Sequence, residues 1–143
     1  MKKIISILII VAISCLSFCG CDSAVEGDEP GTAIINDCTV TIEDNFSTEY
    51  CVFNGVPGRM GTIWVEVKNN SNKSVSIGNL ANIKVFDDGC EVDFTCYDTY
   101  DEVLPGSERT YKYTSGKSVT VSKLLVQIVK GSKVISEKEV YSY

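Results

Sequence analysis

The segment Cys38-Thr39-Val40-Thr41-Ile42 alternates apolar and threonine side chains. This period of two is typical of a β-strand with one buried face, because successive side chains of a strand point to opposite sides. Residues 62–68, Thr-Ile-Trp-Val-Glu-Val-Lys, are also rich in strand-forming residue types. The two segments predict an all-β fold.

Strand-like segments continue to the end of the chain, separated by turn residues such as Asn54-Gly55, Pro57-Gly58 and Asp88-Gly89. No segment has a convincing amphipathic helical pattern. Roughly seven to nine short strands at such spacings predict an immunoglobulin-like two-sheet β-sandwich over residues 34–143. Beyond the two segments above, strands are predicted at 50–53, 75–77, 81–86, 90–97, 109–113, 123–129 and 134–140.

Aromatic residues give two further expectations. Trp64 is the only tryptophan and lies in the middle of a predicted strand, so we expect it to anchor the core, and a ligand contact at the surface is the alternative. Tyr97, Tyr100, Tyr111 and Tyr113 are consistent either with an exposed recognition patch or with ordinary strand positions.

The N-terminus has the pattern of a secretory signal peptide. Lys2 and Lys3 precede an apolar run over residues 4–13, and the chain turns polar and acidic at Asp22. The apolar run is short for a membrane-spanning helix, which needs about 20 residues. We therefore predict a signal peptide over residues 1–21.

The end of this signal resembles a bacterial lipobox, in which a small residue precedes the cysteine that becomes lipidated. Gly20-Cys21 fits that rule, although Phe18 stands where leucine is usual. Cys21 is the predicted lipid attachment site, Cys19 is second, and an ordinary secretory signal is the alternative. A lipid anchor would hold the protein at the outer face of the cell membrane, because each buried CH₂ contributes about 0.8 kcal/mol. Residues 22–33 are acidic and poor in apolar side chains, so they predict a flexible tether.

Composition narrows the functional classes. Acidic residues outnumber Lys and Arg by 19 to 13, which argues against nucleic acid as a partner. The chain has no histidine, so Ser-His-Asp and Cys-His catalysis and most catalytic zinc sites are excluded. We expect a protein that is not an enzyme and needs no cofactor.

Four cysteines lie beyond the signal: Cys38, Cys51, Cys90 and Cys96. An even number in an exported chain predicts disulfides, with three possible connectivities. We favour 38–51 with 90–96, and the main rival is 38–90 with 51–96. No pair has the short spacing of a zinc knuckle, so no metal site is predicted.

Acidic residues form two groups, which we interpret as a solvated acidic surface. Calcium binding and glycosidase-like chemistry are alternatives, but neither the loop pattern of a calcium site nor a specified pair of carboxylates is present. The two groups are Asp87, Asp88, Glu91 and Asp93, and Asp98, Asp101 and Glu102.

The central part of the chain resembles a family of small immunoglobulin-like domains of bacterial surface lipoproteins, named for a Phe-x-Leu-Tyr-Asp (FxLYD) motif. Ile83-Lys84-Val85-Phe86-Asp87 stands at the place of that motif, with conservative changes at three of its four fixed positions. Residues 65–71 and 104–107 are similar to its Asn-containing and Pro-Gly turns, and telokin-like exported domains fit almost as well. The resemblance implies that Ile83 and Val85 face the core and that Asp87 with Gly89 shapes a turn. It implies no active site.

These observations lead to three functional hypotheses. The first is a non-catalytic lipoprotein whose sandwich binds a protein or glycan, or acts as a spacer, at the cell surface. The second is a secreted hydrolase inhibitor or ligand-capture protein, which a protruding loop at residues 98–107 would favour. The third, an enzyme that uses carboxylates alone, would require paired acids in a deep pocket.

Overall fold

A computed structural model describes residues 23–120 and 122–143. The predicted signal peptide, with Cys21 as lipid attachment site, lies outside the described residues. Within the described part, no helix has the length and apolar character needed to cross a membrane.

The described residues form eleven strands and one short helix, which confirms the predicted all-β class. The strands are β1 (Ala24–Glu26), β2 (Thr32–Ile35), β3 (Cys38–Ile42), β4 (Asn45–Phe53), β5 (Val56–Asn69), β6 (Asn82–Asp87), β7 (Cys90–Val92), β8 (Phe94–Thr95), β9 (Glu108–Ser115), β10 (Lys123–Lys130) and β11 (Lys133–Ser142), and the helix is α1 (Ile77–Leu80).

The long strand β5 organises the first half of the sheet. It pairs with β9 through residues 62–68 along one side. Along its other side it pairs with β4 through residues 56–62 and then with β3 through residues 65–69. Both β3 and β4 are antiparallel to β5, so they run in the same direction, end to end. Strands β2 and β1 extend the sheet beyond β3, and β8 extends it beyond β9.

The second half has the order β7-β6-β10-β11, all antiparallel. It joins the first half through a short parallel pairing of β11 with β4, where Tyr141 faces Asn45 and Ser142 faces Phe46. The strands therefore form one continuous hydrogen-bonded sheet. The division into two separate sandwich sheets stays a prediction.

Buried side chains from both halves form one apolar cluster. Alternate residues of β5 and β10 build its centre, as the period of two requires. Burial of each large apolar side chain stabilises the fold by about 1.5–3 kcal/mol. The central members are Ile63, Val65, Val67, Leu124, Val126 and Ile128.

The structure bears on two predictions about core residues, one for Ile83 and Val85 and one for Trp64. Val85 is buried and Ile83 is half-buried against the cluster, as the resemblance implies. Trp64, however, is only half-buried, and the expectation that it anchors the core is wrong. Its neighbours Ile63 and Val65 occupy the core face of β5, so the alternation turns Trp64 to the opposite face.

The predicted flexible tether at residues 22–33 differs from the structure over its described part. Residues 24–26 form β1, which pairs with β2, and Ala33 is fully buried. Between the two strands, the Gly27 N–H donates to the Thr32 carbonyl at 2.7 Å. Backbone hydrogen bonding therefore orders a segment that has few apolar side chains of its own.

One predicted turn and one predicted strand also differ from the structure. Pro57-Gly58 lies inside β5 and is not a turn. The predicted strand at 75–77 is replaced by a single bridge between Val75 and Val103, followed by α1.

Candidate functional site

The connection between β4 and β5 projects beyond the core. Asn54 and Gly55 have positive φ angles of 50° and 83°, as a tight two-residue hairpin turn requires. No residue from 49 to 60, a segment we call the hairpin tip, is buried. The tip is therefore held by its own strand pairing and by hydrogen bonds of Arg59 to Ser118 and Val119, rather than by the core.

The hairpin tip exposes large apolar side chains. The exposed fractions are 72% for Tyr50, 57% for Val52 and 65% for Val56. Phe53 is half-buried beside them. A concentrated exposed apolar surface of this kind is typical of an interaction site.

The β5 edge of the hairpin is protected. The Arg59 N–H donates to Ser118 Oγ at 3.0 Å, and the Gly61 N–H donates to Ser115 Oγ at 2.8 Å. Pro57 has no N–H to offer at this edge. A proline and a covering segment are both devices by which proteins block strand edges.

The β4 edge of the same hairpin is open. Strand β11 pairs with β4 only at Asn45 and Phe46, and no other described strand pairs with residues 47–53 on that side. In a two-residue hairpin the residues flanking the turn form a hydrogen-bonded pair, and alternate pairs thereafter do not. The N–H and C=O groups of Thr48, Tyr50 and Val52 therefore point away from β5, toward the open edge.

A concave surface lies on the outward face of β6, β10 and β11. This groove has a volume of about 570 Å³, within the range of small-molecule sites, roughly 300–1,000 Å³. Phe86 and Leu125 supply its apolar part, and polar groups surround them. The polar lining includes Asp88, Lys123, Gln127 and Glu139.

Two ionic groups of the groove, Lys123 and Glu139, form an ion pair. Lys123 Nζ lies 2.7 Å from Glu139 Oε1, and the Tyr141 hydroxyl donates to the other Glu139 oxygen at 2.8 Å. The hydrogen bond from Lys123 lowers the pKa of the Glu139 carboxyl, and the same bond raises the pKa of Lys123. A general acid needs the opposite shift in its carboxyl pKa, so Glu139 is suited to structure and recognition rather than to proton donation.

The cysteines do not form the expected disulfides, and all four are free thiols. Cys38 lies opposite Asn69 at one end of β5, whereas Cys51 lies opposite Gly58 near the other. At about 3.3 Å per residue this separates them by roughly 35 Å, far beyond the reach of a disulfide. β3 and β4 do not form a hairpin with each other, because both strands pair with the same side of β5.

Cys96 belongs to a polar network that holds the loop before β9. Its thiol donates to Asp98 Oδ1 at 2.9 Å, and Arg109 Nη2 lies 3.0 Å from Asp98 Oδ2 and 2.5 Å from Asp101 Oδ2. The Tyr111 hydroxyl donates to the Asp101 carbonyl at 2.6 Å. The loop at residues 98–107 is therefore fastened to the sheet and does not protrude.

Hydrogen bonding and burial shift the pKa values of several groups in and beside this network. The hydrogen bond from the Cys96 thiol, and then that from Arg109, lower the pKa of the Asp98 carboxyl. Burial raises the pKa of the Cys96 thiol. Burial likewise raises the pKa values of Tyr111 and Tyr113. The thiol is protonated at neutral pH, so it is a hydrogen-bond donor and a poor nucleophile.

The four tyrosines do not form one patch. Tyr97 and Tyr100 are 94% and 75% exposed, whereas Tyr111 and Tyr113 are buried in the core.

Of the acidic groups, Asp98 and Asp101 pair with Arg109, and Glu91 pairs with Lys84. In the part of the chain that the structure describes, no three His, Cys, Asp or Glu side chains come together as a metal site.

The hairpin tip is not among the sites predicted from the sequence. Residues 50–53, Tyr-Cys-Val-Phe, place apolar or weakly polar side chains on both faces of a strand that ends at Asn54-Gly55. The sequence signal for an exposed site here is a strand that is apolar on both faces, cannot bury both of them, and leads into a tight turn. The open edge itself depends on where β11 ends, which no local pattern indicates.

No protein family, no curated protein and no solved structure matched this chain. The resemblance to FxLYD domains therefore stays a prediction.

Proposed function

We propose that this chain is a non-catalytic, exported lipoprotein that binds a partner protein through the hairpin tip. Cys21 is its lipid attachment site, and the protein is anchored at the outer face of the cell membrane. The observation that carries the proposal is that the hairpin tip and the start of the described chain lie at opposite ends of β5.

The positions of the two ends follow from backbone contacts. The Asn36 N–H donates to the Ser23 carbonyl at 2.9 Å, and the Asn70 N–H donates to the Asp37 carbonyl at 3.2 Å. Ser23 therefore lies beside the end of β5 at Asn69. The fourteen residues of β5 separate this end from the turn at Gly55, a distance of about 45 Å. A lipid two residues before Ser23 would leave the hairpin tip facing away from the membrane.

The ion pairing and the lowered pKa values of the acidic side chains agree better with a binding role than with catalysis. Asp98, Asp101 and Glu139 pair with cations, and the pKa values of Asp98 and Glu139 are lowered. Carboxylate catalysis needs one carboxyl group that retains its proton, which requires a raised pKa.

Membrane fractionation tests the anchoring. We expect the wild type to partition into the detergent phase. Cys21→Ala should remain unprocessed and should not yield the lipidated form, and Cys19→Ala is the matched control. Recovery of both the wild type and Cys21→Ala in the soluble fraction would refute the lipid anchor.

A freely secreted inhibitor or ligand-capture protein is the second candidate. Two observations favour it: the hairpin tip ends in a tight turn with exposed apolar side chains, a form suited to entering a cleft, and the groove at Phe86 and Leu125 has the volume of a ligand site. The expected inhibitory loop at residues 98–107 is fastened to Arg109, so the hairpin tip would take that role. Secretion without a lipid would favour this candidate.

A further inference from the structure

We propose that the open edge of β4 binds an extended segment of a partner protein, which adds to the sheet as an antiparallel strand. The inference deepens the proposed function, on which it rests, by naming the form of the partner. The segment carries apolar side chains at alternate positions and a basic residue opposite Glu49.

The backbone specifies this form. Thr48, Tyr50 and Val52 present three N–H and three C=O groups in a row, since β11 ends beside Phe46. A row of alternating donors and acceptors at strand spacing is complementary to another strand, and β-strand addition is a common mode of peptide recognition. The protected β5 edge shows how this hairpin closes an edge, and in the described part of the chain no strand pairs with β4 at its open edge beyond Phe46.

Side chains add selectivity. Tyr50 and Val52 lie on one face of the strand, where both are more than half exposed. Glu49 lies on the other face and forms none of the ion pairs seen in the described residues. The chain has a formal net charge of −6, which repels acidic segments. An added strand with a basic residue opposite Glu49 gains a favourable cross-strand pair.

Orientation disfavours a second copy of this chain as the occupant. In copies anchored to one membrane, β4 runs away from the lipid in every copy. Antiparallel pairing of two β4 edges would require opposite directions. An extended segment of a different protein has no such restriction.

The test uses the full chain, purified from whichever fraction holds it, in detergent micelles. The probe is the heptapeptide Thr-Val-Thr-Val-Lys-Val-Ser, aligned antiparallel to residues 47–53 so that its lysine faces Glu49. Amide hydrogen exchange is measured with and without the probe. When the probe is bound, we expect the amide exchange rates of Thr48, Tyr50 and Val52 to fall by up to about tenfold.

Matched probes separate strand addition from unspecific apolar contact. N-methylation of the fourth peptide residue, whose N–H faces β4, should abolish the protection, whereas N-methylation of the third should not. Replacing the lysine by glutamate should weaken binding about twofold to fivefold. Val52→Pro should abolish binding, because it blocks β4 as Pro57 blocks β5, whereas Val52→Ala should retain it. A thermal melt confirms that both variants are folded.

Three results would overturn the inference: no protection of these amides, equal effects of the two N-methylated probes, or protection that grows with protein concentration alone. The last would assign the edge to a second copy. A soluble chain that binds the probe overturns only the lipid anchor, and an anchored chain that does not bind it overturns only the edge proposal.

Discussion

The Cys38 thiol donates a hydrogen bond to the side-chain oxygen of Asn69 at 3.4 Å, with both residues fully buried. The same oxygen accepts the Ser71 N–H at 2.9 Å and the Ser71 hydroxyl at 2.7 Å. The Asn69 amide nitrogen donates to the Lys73 carbonyl at 2.7 Å and to the Val103 carbonyl at 2.9 Å. One buried amide therefore joins β3, the turn after β5 and the loop before β9.

Asn69→Leu should be one of the most destabilising single substitutions. It keeps a similar branched shape but removes the five hydrogen bonds that the buried Asn69 side chain makes, which costs about 2–4 kcal/mol in the free energy of unfolding. Urea denaturation measures this loss. Asn70→Ala, at an exposed neighbouring position, is the control and should change stability by less than about 0.5 kcal/mol. Equal effects of the two substitutions would show that the Asn69 network contributes little.

The four thiols should differ in accessibility. Cys90 is exposed and should react quickly with iodoacetamide in the folded protein, whereas Cys38 and Cys96 are buried. Burial also raises the pKa values of Cys38 and Cys96, so little thiolate forms at neutral pH. We expect both to be alkylated only in urea, as peptide mapping by mass spectrometry would show. A cysteine that stays unmodified in urea until a reductant is added would instead reveal a disulfide.

Asp98 should make stability depend on acid pH. Its folded-state pKa is lowered, so its contribution is present above the unfolded pKa of about 4 and is lost as pH falls through the folded value. Asp98→Asn should therefore destabilise the protein at pH 7, by about 1 kcal/mol or less because the pair is partly exposed. The difference should shrink as pH falls below about 4. Glu102→Gln on the same loop is the control, and a difference that is constant with pH would contradict the assignment.

Gly55→Ala should loosen the hairpin tip without disturbing the core. Gly55 has a φ of 83°, where alanine costs about 1 kcal/mol, although an added Cβ would meet no atom within 4 Å. We expect faster amide exchange over residues 49–60 and little change in the urea midpoint, since no residue of the tip is buried. Gly116→Ala is the control, because Gly116 does not have a positive φ and its added Cβ would lie 3.9 Å from the nearest atom, the Asp93 carbonyl oxygen. A large global destabilisation by Gly55→Ala would show that the tip is part of the cooperative core.

Local patterns in the sequence determined the strand class and several strands. The alternation over residues 38–42 predicted β3 with its observed bounds, and the strands predicted at 123–129 and 134–140 correspond to β10 and β11. Such patterns are reliable because one buried face imposes a period of two on neighbouring residues.

Only the tertiary structure decided which strands share an edge and which face of each strand meets the core. The amphipathic pattern of β3 does not reveal that β3 and β4 run in the same direction along β5, and this separates Cys38 from Cys51. The core side of β5 likewise turns Trp64 away, and the pairing of β1 with β2 orders the expected tether. Strand pairing joins residues distant in sequence through backbone groups that every residue carries, so the side-chain pattern of one segment does not specify its partner.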